Sequence, residues 1–142
     1  MDKKDKIKVV GHLKGTRGFE MGLNDGHTLI TDTSVENGGQ NLGPSPKQLL
    51  LSSLIGCIGI DVTMILEKKK IQLEDLDIEA EAVKTDTMPQ EYENIHLTFK
   101  ARAEGLKKEV LEDIVALSKE KYCGVSAMLE KVTPITYEVI IL

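Results

Sequence analysis

The sequence predicts an α+β fold, because strand-like and helix-like segments follow one another in the order βββ-α-ββ-α-α-β rather than as repeating β/α units. Residues 7–31 and 73–104 alternate apolar and polar side chains, whereas residues 49–66 form an apolar run of helical length. A chain of 142 residues suits a single domain covering residues 1–142. A domain of that size can bury a core without a disulfide or a metal to hold it together.

The first third of the chain is predicted to be an antiparallel meander of three short strands, at residues 7–13, 19–23 and 27–31. The last two strands flank Asn24-Asp25-Gly26, a tight hairpin signal, because these residues tolerate a positive φ. Residues 36–45 are rich in Gly, Asn and Pro and are predicted to form a loop.

The loop ends at a helix start signal. Ser45 can cap the helix, Pro46 suits its first position, and Gln48 completes a capping box. The helix over residues 49–66 carries a single charge, Asp61, and is followed by the basic residues 68–70, which suit a helix C-terminus.

A helix that is apolar on nearly all faces is either a buried core helix or a membrane span. Asp61 and the strand patterns on both sides favour the core helix. Since one chain of this size has little material to surround such a helix, we expect a second copy of the chain to complete its burial.

The second half is predicted to hold a long hairpin with strands at residues 73–84 and 92–104. An amphipathic helix over residues 107–122 follows, and Cys123-Gly124 marks a break. One or two further helical turns over residues 125–132 lead to Pro134 and a last strand at residues 135–142.

Composition disfavours several classes of function. The chain has 18 basic and 23 acidic residues, a net charge of −5, so neither nucleic acid nor an anionic membrane is an expected partner. The start of the chain is polar and unlike a signal peptide, so we expect a cytoplasmic protein whose two cysteines are free thiols or redox groups.

Common catalytic motifs are missing from the sequence. It has no glycine-rich phosphate loop and no Gly-x-Ser-x-Gly elbow. The three histidines, His12, His27 and His96, fall on predicted strands without the spacing of metal ligands, so we expect neither a metal nor a cofactor.

The two cysteines are the remaining candidates. Cys57 lies between Gly56 and Gly59 in the apolar helix, where it could equally be a small core residue. Cys123 stands where a short helix could begin, and backbone N–H groups there would lower its pKa, although a structural role is also open. A redox pair needs Cα atoms roughly 4.4–6.8 Å apart, which spacing in the sequence does not show.

Two segments resemble the signatures of the OsmC/Ohr family. Residues 43–57, GPSPKQLLLSSLIGC, resemble the signature (G/A)PSPxELLLAALxxC, and Tyr122-Cys123-Gly124-Val125-Ser126 with a later Leu resembles (Y)CPVSxxL. The ending MLEK at residues 128–131 is similar to the less characterised OsmC branch rather than to the Ohr branch.

The resemblance implies an OsmC-like fold, with antiparallel sheets around a long buried central helix, in an intertwined homodimer. It also implies thiol-dependent reduction of hydroperoxides, preferably organic ones, in defence against oxidative and osmotic stress. Cys57 would then be the peroxidatic thiol and Cys123 the resolving thiol, with an external dithiol or thiol as the reductant.

The chain departs from the family pattern at two places. Gln48 stands where the pattern has a Glu that orients an active-site Arg, and Gly124 replaces the usual Pro. Arg17 is the expected counterpart of that Arg, with an exposed turn arginine as the other interpretation. The alternative function is a weakly active or non-enzymatic module that binds a small hydrophobic ligand in the dimer cleft, and a structural or assembly protein is a third.

Overall fold

The structure is a computed structural model that describes residues 5–142. The chain divides into two compact units, Met1–Leu50 and Leu51–Leu142, and each unit contains its own three-stranded sheet. A single domain over residues 1–142 therefore stays a prediction. Residues 1–4 lie outside the described residues, and so does most of the polar segment on which the signal-peptide prediction rests.

The first unit is built on an antiparallel sheet with strand order β1-β2-β3, which confirms the predicted meander. The strands are β1, Val10–Lys14; β2, Gly18–Gly22; and β3, Thr28–Thr31. The predicted hairpin signal forms the turn between β2 and β3, where Asn24 and Gly26 have φ values of 49° and 93°. The N–H of Leu23 donates to the carbonyl of His27 at 3.0 Å and closes this turn.

A buried carboxylate organises the loop that follows β3. Asp32 is 3% exposed and accepts backbone hydrogen bonds from Thr33 at 2.7 Å, from Gln40 at 3.1 Å and from Leu42 at 3.1 Å. The hydrogen bond from Thr33 contributes most to lowering the pKa of Asp32 below its usual value. A short 3-10 turn, Val35–Asn37, lies within the loop.

The long helix α1, Pro46–Lys68, begins at the predicted capping box. The N–H of Gln48 donates to Ser45 Oγ at 3.2 Å, and the N–H of Ser45 donates to Gln48 Oε1 at 2.9 Å. Two backbone donors that a helix start leaves without intrahelical partners are thereby satisfied. The first residues of α1 belong to the first unit and the remainder to the second.

The second unit contains a sheet with strand order β4-β5-β6 and two further helices. Its elements are β4, Asp75–Lys84; β5, Tyr92–Arg102; α2, Lys108–Leu117; α3, Gly124–Glu130; and β6, Ile135–Ile141. The antiparallel β4–β5 pair confirms the predicted long hairpin. The order βββ-α-ββ-α-α-β and the α+β class are confirmed as well.

The second sheet differs from the expected antiparallel sheets in one pairing, because β6 runs parallel to β5. Leu97 of β5 stands opposite Tyr137 of β6, and Phe99 stands opposite Val139. A parallel neighbour requires a long crossover that returns the chain to the same end of the sheet, and α2 and α3 supply it. Alternation of side chains along a strand does not distinguish the two pairings.

The core of the second unit lies between α1 and one face of this sheet. Fully buried side chains recur every fourth residue along α1, and alternate residues of β5 are buried in the same cluster. The buried residues of these two elements are Leu54, Ile58, Val62 and Leu66 of α1 and Ile95, Leu97, Phe99 and Ala101 of β5. These spacings are the helical and strand periods that the sequence pattern shows.

Another face of α1 is not covered by residues 5–142. Ile60 is 63% exposed and Met64 is 51% exposed, so the full burial expected of this helix is not reached in the single chain. Among the described residues, α1 is the one helix that is long and apolar enough to cross a membrane. The buried ridge of α1, formed by Leu54, Ile58, Val62 and Leu66, is the pattern of a helix that packs in a protein core.

Candidate active site

Cys57 lies on α1 next to the buried ridge, directly before Ile58, and its side chain is half-buried. Of the two flanking glycines, Gly59 allows the close packing that the sequence suggested, because a Cβ there would lie 3.2 Å from Ile78 Cδ1 of β4. A Cβ on Gly56 would have open space around it in the described part of the chain. Gly56 and Gly59 are three residues apart, lie on the same side of α1 and line one pocket there.

Cys123 follows a widened turn of helix. The predicted helix over residues 107–122 is regular only as far as Leu117, and residues Ser118–Tyr122 form a π-helical turn. The N–H of Cys123 closes this turn by donating to the carbonyl of Ser118 at 2.7 Å. Such turns recur at functional sites, because they displace the residues that follow them from the regular helical path.

Cys123 is also the N-cap of α3, which confirms its predicted position at the start of a short helix. Its Sγ accepts a hydrogen bond from the N–H of Ser126 at 3.3 Å, and its carbonyl accepts one from Ala127 at 3.0 Å. The side chain is 2% exposed. The sulfur is therefore held in a fixed direction by the first turn of α3.

The structure brings the two thiols together, although 66 positions separate them in the sequence. Both are free cysteines, and Cys57 lies close enough to Cys123 to act on its pKa. Burial, and next the hydrogen bond with Cys57, raise the pKa of Cys123 from 9.0 to about 12. The backbone N–H groups of Ser126 and Val125 act in the opposite direction but are outweighed.

One expectation about Cys123 is therefore wrong. The start of α3 was expected to lower its pKa, but desolvation of a thiolate next to a second sulfur dominates. At neutral pH Cys123 is a thiol that keeps its proton.

A polar contact that the sequence did not predict lies beside the cysteines. Ser118, which is fully buried, donates from Oγ to Asp61 Oδ2 of α1 at 2.8 Å. Ser126 is also fully buried and donates from Oγ to the carbonyl of Lys119 at 3.2 Å. The signal that could have indicated the first contact is Asp61 itself, the single charge in an apolar run, which needs a polar partner when it packs inside a protein.

Arg17 and Gln48 both belong to the first unit. Arg17 is exposed, in the turn between β1 and β2, and its guanidinium lies over Gly38, where an added Cβ would be 2.9 Å from Arg17 Nε. Gln48 uses its side-chain oxygen in the capping box of α1. Their roles at the active site therefore stay predictions.

Metal ligands are not clustered in residues 5–142: no group of three or more His, Cys, Asp or Glu there could hold a metal ion. The ring of His96 instead hydrogen-bonds within the sheet, where Nδ1 lies 2.7 Å from Thr136 Oγ1 and Nε2 lies 3.3 Å from Glu138 Oε1.

Comparisons with known proteins show the family of this chain. The family model described as OsmC-like protein matches residues 38–138. Protein YhfA of Escherichia coli K12 is 35% identical over 117 residues, which are 81% of this chain and 84% of that protein.

Solved structures share the whole fold. A hypothetical protein from Aquifex aeolicus VF5 has a TM-score of 0.81 at 29% identity, over 98% of this chain and 99% of that one. The organic hydroperoxide resistance protein OsmC of Legionella pneumophila has a TM-score of 0.71 at 21% identity, again over 98% of this chain and 99% of that one. With a family model across more than half of its length and a relative above 30% identity, the chain belongs to the OsmC-like protein family.

Proposed function

We propose that this protein is a thiol-dependent hydroperoxide reductase in which Cys57 attacks the peroxide and Cys123 resolves the oxidised product. The observation that carries the proposal is that two free thiols from distant parts of the chain lie close enough for Cys57 to raise the pKa of Cys123. Membership of a family with organic hydroperoxide resistance proteins among its structural relatives supports the same reaction.

The different surroundings of the two sulfurs support this division of roles. A peroxide must reach the sulfur that it oxidises, and Cys57 is half-buried whereas Cys123 is 2% exposed. Because burial and its neighbour raise the pKa of Cys123, this thiol keeps its proton. The thiolate is the form of cysteine that attacks peroxides, so a Cys123 that keeps its proton suits the resolving role rather than the attacking one.

The proposed reaction has three balanced steps. The Cys57 thiolate attacks one oxygen of the O–O bond, which gives a sulfenic acid on Cys57 and releases an alcohol once the leaving alkoxide takes a proton. The Cys123 sulfur then attacks the sulfenic sulfur, and a disulfide forms as water leaves with the Cys123 proton. An external dithiol or thiol reduces the disulfide and restores both groups.

The apolar character of α1 supports organic hydroperoxides as the substrates and a homodimer as the active form. Cys57 projects from a helix whose remaining surface includes the exposed apolar residues Ile60 and Met64. Apolar surface on a soluble protein marks a site of association, and a second copy of α1 is the partner we propose, in a cytoplasmic protein.

Arg17 and Gln48 are proposed to assist Cys57. An arginine beside the thiolate would stabilise its charge, and an amide at position 48 can hydrogen-bond to a guanidinium but supplies no opposing charge. We expect Gln48→Glu to raise the rate of peroxide reduction if Arg17 is its partner. An unchanged or lower rate would place Arg17 outside the site.

Titration of thiols tests the proposal. The reduced protein is mixed with a slight excess of an organic hydroperoxide, and free thiols are counted over time. We expect rapid loss of two thiols per chain, no loss in Cys57→Ser, and a single turnover with a trapped sulfenic acid in Cys123→Ser. Equal multi-turnover rates in the two variants would reject the division of roles.

A second candidate function, binding of a small hydrophobic ligand, is favoured by an open pocket beside α1. The pocket has a volume of about 550 Å³ and is lined mainly by apolar groups, among them Ile55, Ile60, Leu73 and Ile78. A binding module would keep both thiols in the titration and would gain thermal stability with apolar ligands.

A further inference from the structure

Asp61 stands out as a carboxylate in an otherwise apolar stretch of helix. It lies one helical turn after Cys57 on α1 and is therefore on the same side of the helix. Its Oδ2 accepts the hydroxyl hydrogen bond of the fully buried Ser118 at 2.8 Å. The helix thus contacts the segment before Cys123 at a second point besides the thiols.

Ser118 transmits this contact to Cys123 through the backbone. Its carbonyl accepts the N–H of Cys123 at 2.7 Å and closes the π-helical turn between them. The Ser118 side chain and the Ser118 carbonyl therefore join Asp61 to the residue that carries the second sulfur. The Asp61–Ser118 hydrogen bond restrains the position of the turn relative to α1 beside the two neighbouring cysteines.

The other contacts of the turn lead to α3. Ser126 donates to the carbonyl of Lys119, and the ammonium of Lys119 forms an ion pair with Glu130 at the end of α3. These contacts tie the turn to α3. The Asp61–Ser118 hydrogen bond adds a directional contact with the helix that carries Cys57 to the apolar packing between these segments.

Stability alone is a poor explanation for Asp61. A polar side chain packed beside a hydrophobic core gains little net stability from one hydrogen bond, and replacing both partners by apolar groups is often neutral or stabilising. A buried polar contact that fixes one relative arrangement of two segments has a better-attested use.

We propose that Asp61 is a positioning residue for the cysteine pair, which acts through Ser118 to hold the Cys123 sulfur in line with that of Cys57. The consequence for peroxide reduction rests on the function proposed above. The alignment itself is a property of the two thiols, and it can be measured without a peroxide.

The test is the equilibrium between the Cys57–Cys123 disulfide and glutathione. In this exchange one glutathione disulfide oxidises the two protein thiols and is reduced to two glutathione molecules, so its constant reports the effective concentration of one thiol at the other. We expect Ser118→Ala to lower this constant by about tenfold, which is about 30 mV for a two-electron couple.

Thr133→Val is the matched control. Thr133 is 6% exposed and donates from Oγ to the carbonyl of Tyr92 at 3.2 Å. Like Ser118→Ala, this variant removes a buried hydroxyl from the second unit, but the lost hydrogen bond is one to β5 and not one to α1. Its effective thiol concentration is expected to match that of the wild-type protein. An equal fall in Thr133→Val and Ser118→Ala would overturn the proposal.

Two variants at position 61 separate positioning from stability. Asp61→Asn retains an oxygen that accepts from Ser118, so it should keep an effective concentration within about twofold of wild type. Asp61→Leu combined with Ser118→Ala removes both polar groups, so neither is left unpaired and the loss of stability is limited. This double variant should show the tenfold fall in effective thiol concentration even if Ser118→Ala alone does not fold. A wild-type value in this double variant would overturn the proposal.

The outcomes also separate this inference from the proposed function. A tenfold fall in a protein that does not consume hydroperoxide would support the alignment and reject the peroxidase. Unchanged thiol equilibria in a protein that does reduce hydroperoxide would reject the alignment and leave the peroxidase standing.

Discussion

The raised pKa of Cys123 predicts that this thiol resists alkylation. Burial and the neighbouring Cys57 move the pKa from 9.0 to about 12, and at pH 8 this lowers the thiolate fraction by roughly a thousandfold. A more basic thiolate is also a stronger nucleophile, which restores roughly twentyfold of that loss. The net expectation is alkylation about fifty times slower than that of an ordinary exposed cysteine, before the 2% exposure of the side chain slows it further.

The assay is alkylation by iodoacetamide at pH 8, followed by mass spectrometry of the two cysteine peptides. Cys57 should be modified first, because it is half-buried whereas Cys123 is buried. In Cys57→Ser the neighbouring sulfur is lost but burial, the largest cause of the raised pKa, remains, so Cys123 should still react slowly. A Cys123 that is alkylated as fast as a free cysteine in the folded Cys57→Ser variant would refute this reasoning.

Further predictions concern stability and association. Because the pKa of Cys123 is raised, folding stability should fall as the pH rises from 9.0 toward about 12, and Cys123→Ala should flatten that fall in a denaturant titration. Because the pKa of Asp32 is lowered, the stability that Asp32 contributes should be present above pH 3.8 and be lost as the pH falls below that value. Asp32→Asn should therefore make the melting temperature less sensitive to acid. Ser45→Ala removes one hydrogen bond of the capping box and should cost about 1 kcal/mol in the free energy of unfolding. Ile60→Lys with Met64→Lys should weaken self-association by about tenfold or more in sedimentation measurements, whereas a wild-type protein that is monomeric at micromolar concentration would contradict the proposed dimer.

Local signals in the sequence were sufficient for most elements of the fold. The Asn24–Gly26 turn, the capping box of Ser45 and Gln48, and the break at Cys123 each depend on neighbours along the chain, and the structure confirms all three. The parallel pairing of β6 with β5 could not be predicted in this way, because it depends on which end of the sheet the helical crossover reaches.

The candidate site was predictable only in part. The two cysteine contexts indicated which thiols to consider, but their proximity and the raised pKa of Cys123 follow from the packing of α1 against the turn before α3. The contact of Asp61 with Ser118 joins residues far apart in the sequence, and neither carries a motif that links it to the other. Long-range burial, rather than local pattern, therefore determines the chemistry of the sulfurs.

The most direct measurement of the central claim is a peptide map of the protein under non-reducing conditions after one equivalent of an organic hydroperoxide. We predict that the peptides of Cys57 and Cys123 from the same chain are recovered as one disulfide-linked species, with loss of both free thiols. Recovery of both cysteines as free thiols, or a linkage solely between different chains, would contradict the account.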